Sequence, residues 1–278
     1  MAQHQRVARL NADLEQKVAD RTHALLTTLE QLEKRRRELA LTLAAERELG
    51  ELKSRFVSMA SHEFRTPLTA VLTCAELIAD YTTTRQQPQR LKHVQRIQTS
   101  VKQLNNILEE FLSVGRIEEG KIESQPADCN LTALLTATTS DVQSLLKAGQ
   151  HIAWQVQCPH TFRLDASLLR KILVNLLSNA LTYSAEGTVV TVQADCHQHR
   201  LRLSVADQGV GISAEDQAHL FERFFLARNV STVPGTGLGL YIIARYLELM
   251  GGTIALHSEL NVGTSVTITI PYENHSAD

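Results

Sequence analysis

Apolar residues in the first fifty positions recur at helical spacing. Val18, Leu25, Leu32 and Leu39 are seven residues apart, and Leu29 and Leu43 each follow one of them by four. This alternation is the seam of a two-stranded parallel coiled coil, and charged residues such as those of EKRRRE fill the outer positions. Thr22, Arg36 and Glu46 interrupt the seam, and the next apolar set, Leu49, Leu52, Phe56 and Met59, is out of phase with it. A break of phase requires an altered supercoil between the two registers.

From residue 51 the apolar line continues through Phe56, Ala60, Phe64, Leu68, Val71, Ala75 and Ile78. His62 is two residues from both Ala60 and Phe64, so at about 100° per residue it projects from the opposite, solvent-facing side. Pro67 has no N–H and crowds the carbonyl of Glu63, which predicts a bend beside the histidine. A polar stretch, YTTTRQQPQ at 81–89, precedes a second helix in which Val94, Ile97, Val101, Leu104, Leu108 and Phe111 alternate by threes and fours. Two helices with one stripe each make a hairpin whose apolar face is buried by pairing with a second copy. Residues 51–120 are therefore expected to be a helical-hairpin dimerisation domain forming a four-helix bundle in a homodimer, after a coiled-coil signalling linker at 1–50.

Beyond the charged segment GRIEEGKIESQP the period changes. Helical patterns at 131–148, 167–183 and 241–250 alternate with strand patterns at 151–157, 188–194, 201–206, 252–257 and 264–270. Residues 121–278 read as an α/β sandwich, with helices packed on an antiparallel or mixed sheet. The fold class is multidomain, α and α/β.

Composition narrows what such a molecule can do. The chain has 278 residues, 43% hydrophobic and 5% aromatic, enough for a sizeable core and more than one domain. Its 28 basic and 30 acidic residues are interspersed and leave a formal charge of −2, so no single-sign field is available to hold nucleic acid or an anionic membrane. Cys74, Cys129, Cys158 and Cys196 stand far apart without a CxxC pair, which predicts neither a zinc ribbon nor a disulfide scaffold and suits a reducing cytoplasm. No run approaches the roughly 20 apolar residues of a membrane span, and the N-terminus lacks the apolar core of a signal peptide. A cytoplasmic protein acting on a small, partly charged ligand is expected.

Three constellations in the α/β region point to such a ligand. In KILVNLLSNALTYS, Asn175 and Asn179 share one face of a leucine-rich helix, where the asparagine amide competes with the backbone. Their oxygens suit a hard cation such as Mg²⁺, or the two are ordinary polar side chains with their hydrogen bonds satisfied. In LRLSVADQGVGI, Leu201, Leu203 and Val205 alternate toward the core and Asp207 continues that face at the strand's end. A carboxylate there needs a partner, and Gly209 and Gly211 let the backbone approach a ligand closely. Asp207 is thus placed to accept a hydrogen bond from an amino group such as adenine's. In PGTGLGLYIIARYLELMGG, Gly235, Gly237 and Gly239 open a helix, whose N-terminal amides favour phosphate. His197 and His199, on a polar turn between strands, read as a solvated pair rather than a metal site.

Taken in order, SHEFRTPL, NLLSNALTYS, DQGVGI, FERFF and GTGLGL resemble the phospho-acceptor, asparagine, first glycine, phenylalanine and second glycine boxes of two-component sensor histidine kinases, from about residue 50 to the end. LNADLEQKVADRTHAL is similar to the helical linker that often follows a sensory module. The resemblance implies an ATP-dependent protein histidine kinase whose His62 is the nucleophile, with Glu63 orienting the imidazole and taking its proton. It implies that Asn179, seconded by Asn175, holds Mg²⁺ across the ATP phosphates, that Asp207 reads adenine and that Tyr183 lies against the ring. Gly209, Gly211, Gly235, Gly237, Leu238 and Gly239 would enclose the nucleotide, and Arg223 would face phosphate. A response-regulator receiver domain is implied as phosphoryl acceptor, an upstream sensor module as a part missing from this chain, and Thr66 as a water-positioning hydroxyl for dephosphorylating the regulator. The alternative is a dimerising scaffold that binds ATP without transferring phosphate; intact His62, Glu63, Asn179 and Asp207 speak against it. Two positions depart from the family. Thr182 and Leu226 stand where many relatives have lysine and arginine, with Arg228 or Lys171 as replacements.

Overall fold

The computed structural model describes residues 2–81, 83–158, 161–230 and 235–273, and its first element is a single helix, α1 (Ala2–Asp80). The chain divides into two units, residues 1–58 and 59–278. In the first, the seam residues Leu25, Leu29, Leu32 and Leu39 are all exposed on the single chain, as a coiled-coil seam is before its partner covers it. The side chains of Leu49, Leu52 and Phe56, on which the phase break rests, lie outside the described residues.

In the second unit α1 passes through Pro67 without ending, and a 3-10 turn leads into α2 (Gln87–Glu118). Pro88 stands in the first turn of α2, where its missing N–H needs no partner. The two helices meet through Phe64 and Phe111, whose ring centroids are 6.0 Å apart, and through Tyr81, stacked on His93. The alternation along α2 divides into two rows. Ile97, Leu104 and Phe111 are partly buried, whereas Val94, Val101 and Leu108 stay exposed together with Leu68 and Leu72 of α1.

The α/β region begins with β1 (Ala127–Cys129), which pairs antiparallel with β3 (Phe162–Leu164) as a small separate sheet. Such short strands carry too little period to be read from sequence. The main sheet has the order β2-β4-β5-β7-β6, built from β2 (His151–Gln157), β4 (Val189–His197), β5 (Arg200–Ala206), β6 (Thr253–Glu259) and β7 (Gly263–Pro271). β2 runs parallel to β4 and the other pairs are antiparallel, so the sheet is mixed. Its register sets Ala194, Leu203, Ile268 and Ile254 in one row across four strands. That face is buried under α3 (Leu131–Val142), α4 (Ala166–Tyr183) and α6 (Gly239–Leu249), while Gln193 and Arg202 on the other face are exposed. Each large apolar side chain in this layer stabilises the fold by about 1.5–3 kcal/mol on burial. A one-turn helix, α5 (Ala214–Gln217), follows β5.

Asp165 starts α4. Its Oδ1 accepts from the amides of Ser167 and Leu168 at 3.0 Å each, and Oδ2 from Gln125 N at 2.8 Å. Burial pushes its carboxyl up, but the bonds from Gln125, Leu168 and Ser167 outweigh this and hold it below the ordinary value. α3 stops at Val142, short of the expected residue 148, because the segment after it turns back to serve the other end of α4. There Lys147 Nζ donates to the carbonyls of Thr182 and Ser184 at 2.8 and 2.6 Å, and Gln150 Nε2 donates to Ala185 O at 3.0 Å.

Contrary to expectation from cysteine spacing, Cys158 and Cys196 form a disulfide. β2 and β4 pair Gln157 with Asp195, so the next residues on both strands come side by side across 38 positions of sequence. Cys74 and Cys129 are free and buried. No described helix is long and apolar enough to cross a membrane.

Two glycines separate strain from collision. Gly187 and Gly211 have φ of +73° and +66°, yet a Cβ at Gly187 would meet nothing within 4 Å whereas one at Gly211 would fall 1.9 Å from the Glu259 carbonyl oxygen. Gly187→Ala is expected to cost about 1 kcal/mol and Gly211→Ala at least twice that. Thermal unfolding of both variants checks this; equal losses would mean that the β6–β7 turn yields freely to a side chain.

Candidate functional site

α4, the end of β5, the loop beyond it and the turn into α6 enclose a cavity of about 260 Å³. Asn175 and Asn179 stand one turn apart on α4, and Asn179 Nδ2 donates to Asn175 Oδ1 at 3.1 Å. Asn175 also packs on the start of α6, where a Cβ on Gly239 would lie 2.7 Å from its Oδ1 and 2.9 Å from its Nδ2. Glycine is required there for α6 to approach α4. With its N–H committed to Asn175, Asn179 has a carbonyl oxygen that no hydrogen bond among the described residues engages.

Tyr183 ends α4 and lines the cavity, and burial pushes its phenol up. Its carbonyl accepts from Val210 N at 3.3 Å, while Ser184 bridges to Gly209, so the end of α4 is pinned to the loop after β5. On that loop Asp207 Oδ1 accepts from Gly209 N at 2.8 Å and Thr264 N at 3.3 Å, leaving Oδ2 for a ligand. Burial pushes the Asp207 carboxyl above the ordinary value, and the two amide bonds work against this. A Cβ on Gly209 would lie 2.7 Å from that same Oδ1, so the turn closes only with glycine.

At the other end, Gly235, Gly237 and Gly239 line the cavity with Thr236, while Leu238 is fully buried beneath the turn. Gly237 has φ +65° and lies so close to Phe224 and Phe225 that a Cβ would come within 2.7 Å of the Phe224 carbonyl carbon. Arg223 is not brought to the cavity. It pairs with Glu118 of α2 and lies 4.9 Å from the centre of the Tyr241 ring. Thr182 and Leu226 do line the cavity, but neither candidate replacement joins them. Arg228 is held by Glu215 at 3.2 Å and Asp216 at 3.8 Å, and Lys171 lies 5.6 Å from the Tyr246 ring centre. No described lining residue is lysine or arginine.

Two lining residues carry no motif-level signal of their own. Thr236 sits inside the glycine cluster, where its hydroxyl accepts from Leu238 N at 3.2 Å, and Glu110 reaches the cavity from α2. The Thr236 hydroxyl donates to the Glu110 carboxylate.

His62 is separate from this cavity's lining. Its side chain is 75% exposed, and Nδ1 is 3.3 Å from Oε1 of Glu63, whose side chain is only 12% exposed. An Nδ1–H donated to Glu63 leaves Nε2 as an unprotonated nitrogen. Thr66, one turn on, is exposed.

Comparison with known proteins gives a family for both parts of the second unit. Residues 52–120 match the His Kinase A (phospho-acceptor) domain, and residues 164–274 match the Histidine kinase-, DNA gyrase B-, and HSP90-like ATPase. The chain is 33% identical over 272 residues to the sensor protein GacS of Pseudomonas syringae pv. syringae, covering 93% of this chain and 29% of that protein. It is 30% identical over 280 residues to the circadian input-output histidine kinase CikA of Synechococcus elongatus, covering 98% of this chain and 36% of that one. The chain thus spans about a third of the length of these relatives. Among solved structures, full-length ShkA in complex with AMPPNP matches with a TM-score of 0.58 at 29% identity, over 81% of this chain and 47% of that one.

The partly buried Asp207 carboxyl has a consequence for stability. A carboxyl whose folded-state pKa is raised destabilises the fold increasingly as pH climbs through the ordinary and then the raised value. Asp207→Asn keeps an oxygen for Gly209 and Thr264 without the charge, so without ligand its Tm should match the parent's below about pH 4 and exceed it at about pH 7. A lower Tm at neutral pH would mean that the carboxylate is compensated in the folded chain. Such a cavity, together with an exposed histidine in a phospho-acceptor motif and relatives of this kind, makes the chain a member of the two-component sensor histidine kinases.

Proposed function

We propose that this chain is the core of an ATP-dependent protein histidine kinase, which phosphorylates His62 from ATP and passes the phosphoryl group to an aspartate of a response-regulator receiver domain. The observation that carries the reading is the exposed His62 with a largely buried carboxylate beside Nδ1. Glu63 fixes the tautomer that leaves the Nε2 lone pair free. Nε2 attacks the γ-phosphorus, the N–P bond forms as the bond to the ADP oxygen breaks, and Glu63 accepts the Nδ1 proton as positive charge develops on the ring.

Asp207 accepts from the adenine amino group through its remaining oxygen, Tyr183 lies against the base, and the amides of the turn through Gly235, Gly237 and Gly239 meet phosphate. The carbonyl oxygen of Asn179 would hold Mg²⁺, and Asn175 holds that amide in orientation. One protein oxygen suits an ion that keeps several waters and binds largely through substrate phosphates. Mg²⁺, when bound, neutralises charge on those phosphates.

The working unit is a homodimer. Supporting this are the exposed row of Val94, Val101, Leu108, Leu68 and Leu72 and the exposed seam of α1. An upstream sensor module fits relatives that are much longer than this chain. Dependence on ATP and on a response regulator suits a cytoplasmic site of action. Thr66, on the His62 face, orients water for dephosphorylation of the regulator.

Radiolabelled ATP with Mg²⁺ is expected to give a base-stable, acid-labile phosphoryl group on the parent that disappears in His62→Gln while nucleotide binding persists. Label retained in that variant would put the acceptor elsewhere. Thr66→Ala should keep autophosphorylation within a few-fold and slow dephosphorylation of a phospho-regulator at least tenfold, a rise of about 1.4 kcal/mol in the barrier. Equal losses in both assays would point instead to a damaged helix beside Pro67.

A further inference from the structure

Glu110 belongs to α2, yet its carboxylate enters the cavity between α4 and α6. It accepts from the Thr236 hydroxyl, which itself accepts from Leu238 N at the N-terminal end of α6. That end is where phosphate would be met by backbone amides. Two turns further along α2, roughly 12 Å at 1.5 Å per residue, Glu118 pairs with Arg223. Between the two acids, Val114 joins the buried core of the ATPase region and Phe111 and Ile117 pack against it. α2 therefore grips this region at two charged points around an apolar centre.

Both charged points act against a polyphosphate. Glu110 puts a carboxylate where negative charge has to go, in a cavity whose described lining contains no lysine or arginine. Glu118 occupies Arg223, the cation of the phenylalanine box. Like charge at close range and loss of a nearby cation both weaken anion binding. The arrangement is also costly in itself. Burial pushes the Glu110 carboxyl up, the Thr236 bond opposes this, and the charge of Glu63 adds to it. A grip that includes a desolvated carboxylate can be released, because water solvates that group once α2 withdraws.

We propose that Glu110 is a latch: with α2 docked, its carboxylate occupies the phosphate end of the nucleotide cavity, so that the docked helix and a bound polyphosphate exclude one another. The proposal rests on the nucleotide reading above. Triphosphate binding then favours release of α2, which also frees Arg223 from Glu118, and docking reciprocally weakens phosphate binding by the same factor. Adenosine has no phosphate and fills only the Asp207 end, so it binds both arrangements alike and shifts neither.

Calorimetric titration of the whole chain with Mg·AMPPNP and with adenosine separates these effects. Glu110→Ala is expected to tighten Mg·AMPPNP binding about tenfold, within the usual range of coupling between two sites, and to leave adenosine binding within twofold. Glu110→Gln, which keeps an acceptor for Thr236 and the side-chain volume, should tighten AMPPNP binding in the same direction and serves if the alanine variant unfolds. AMPPNP that binds the parent with an affinity indifferent to both substitutions, or weakened by them, overturns the latch and leaves the nucleotide reading standing. Adenosine affinity rising in parallel with AMPPNP overturns it too, since the gain would then lie at the base. Absence of binding by either compound in parent and variants overturns the nucleotide reading and the latch together.

Discussion

The site exists because α4 has two incompatible faces. Leu168, Leu169, Ile172, Leu173, Leu176, Leu177, Ala180 and Leu181 are all buried on one side of the helix, which fixes its rotation against the sheet. At about 100° per residue that rotation leaves Asn175 and Thr182 on the remaining face and Asn179 at its edge, and all three line the cavity. The asparagines lower helix propensity by only a fraction of a kcal/mol each, against about 1.5–3 kcal/mol for each large apolar residue buried. Packing therefore overrides propensity, and the amides are held in place by a buried face of which only Leu176 and Ala180 reach the cavity. Lys147 and Gln150 extend this support by satisfying the last carbonyls of α4, which sets Tyr183 where it stands.

Around that fixed wall the chain closes by backbone approach rather than by charge. Gly209, Gly211, Gly237 and Gly239 each sit where a Cβ would meet another atom at less than 3.0 Å. The described lining offers two carboxylates, Glu110 and Asp207, and neither lysine nor arginine. On the proposed reading, a nucleotide would be recognised at its base by Asp207 and at its phosphates by backbone amides and Mg²⁺. On that reading neither Thr182 nor Leu226 has to supply a cation.

The parts of this arrangement that repeat were legible in the sequence, and the parts that depend on tertiary meeting were not. The α4 asparagines, the alternation of Leu201, Leu203 and Val205 toward Asp207, and the glycine-opened α6 each combine a period with one residue that breaks it. Glu110 has no such mark. In LEEF it reads as one of two acids on a solvated helix, and its burial appears only when α6 arrives beside α2. Arg223 shows the converse: its motif is readable, but its partner Glu118 lies on another element. The Cys158–Cys196 bridge and the early end of α3 were hidden for the same reason, since both follow from strand pairing and helix capping between distant segments.

α2 connects the two halves of the second unit through opposite sides of one cylinder. Val94, Val101 and Leu108 form its exposed row, while Glu110, Val114 and Ile117 face the ATPase region. Positions 108 and 117 are nine residues apart, about half a turn after whole turns are removed, so the two rows are nearly diametric. Any rotation of α2 that better buries the first row against a second hairpin moves the second row by the same angle. A helix side chain displaced in this way shifts by ångströms, enough to break a hydrogen bond such as that between Glu110 and Thr236, because such bonds weaken steeply beyond about 3.2 Å. How the hairpin packs and how firmly it holds the ATPase region are thus one variable. Glu63 belongs to the same linkage: it stands beside His62 on α1 and adds its charge to that felt by Glu110 on α2. On the proposed reading, the carboxylate that would prepare the nucleophile also weighs against the docked arrangement.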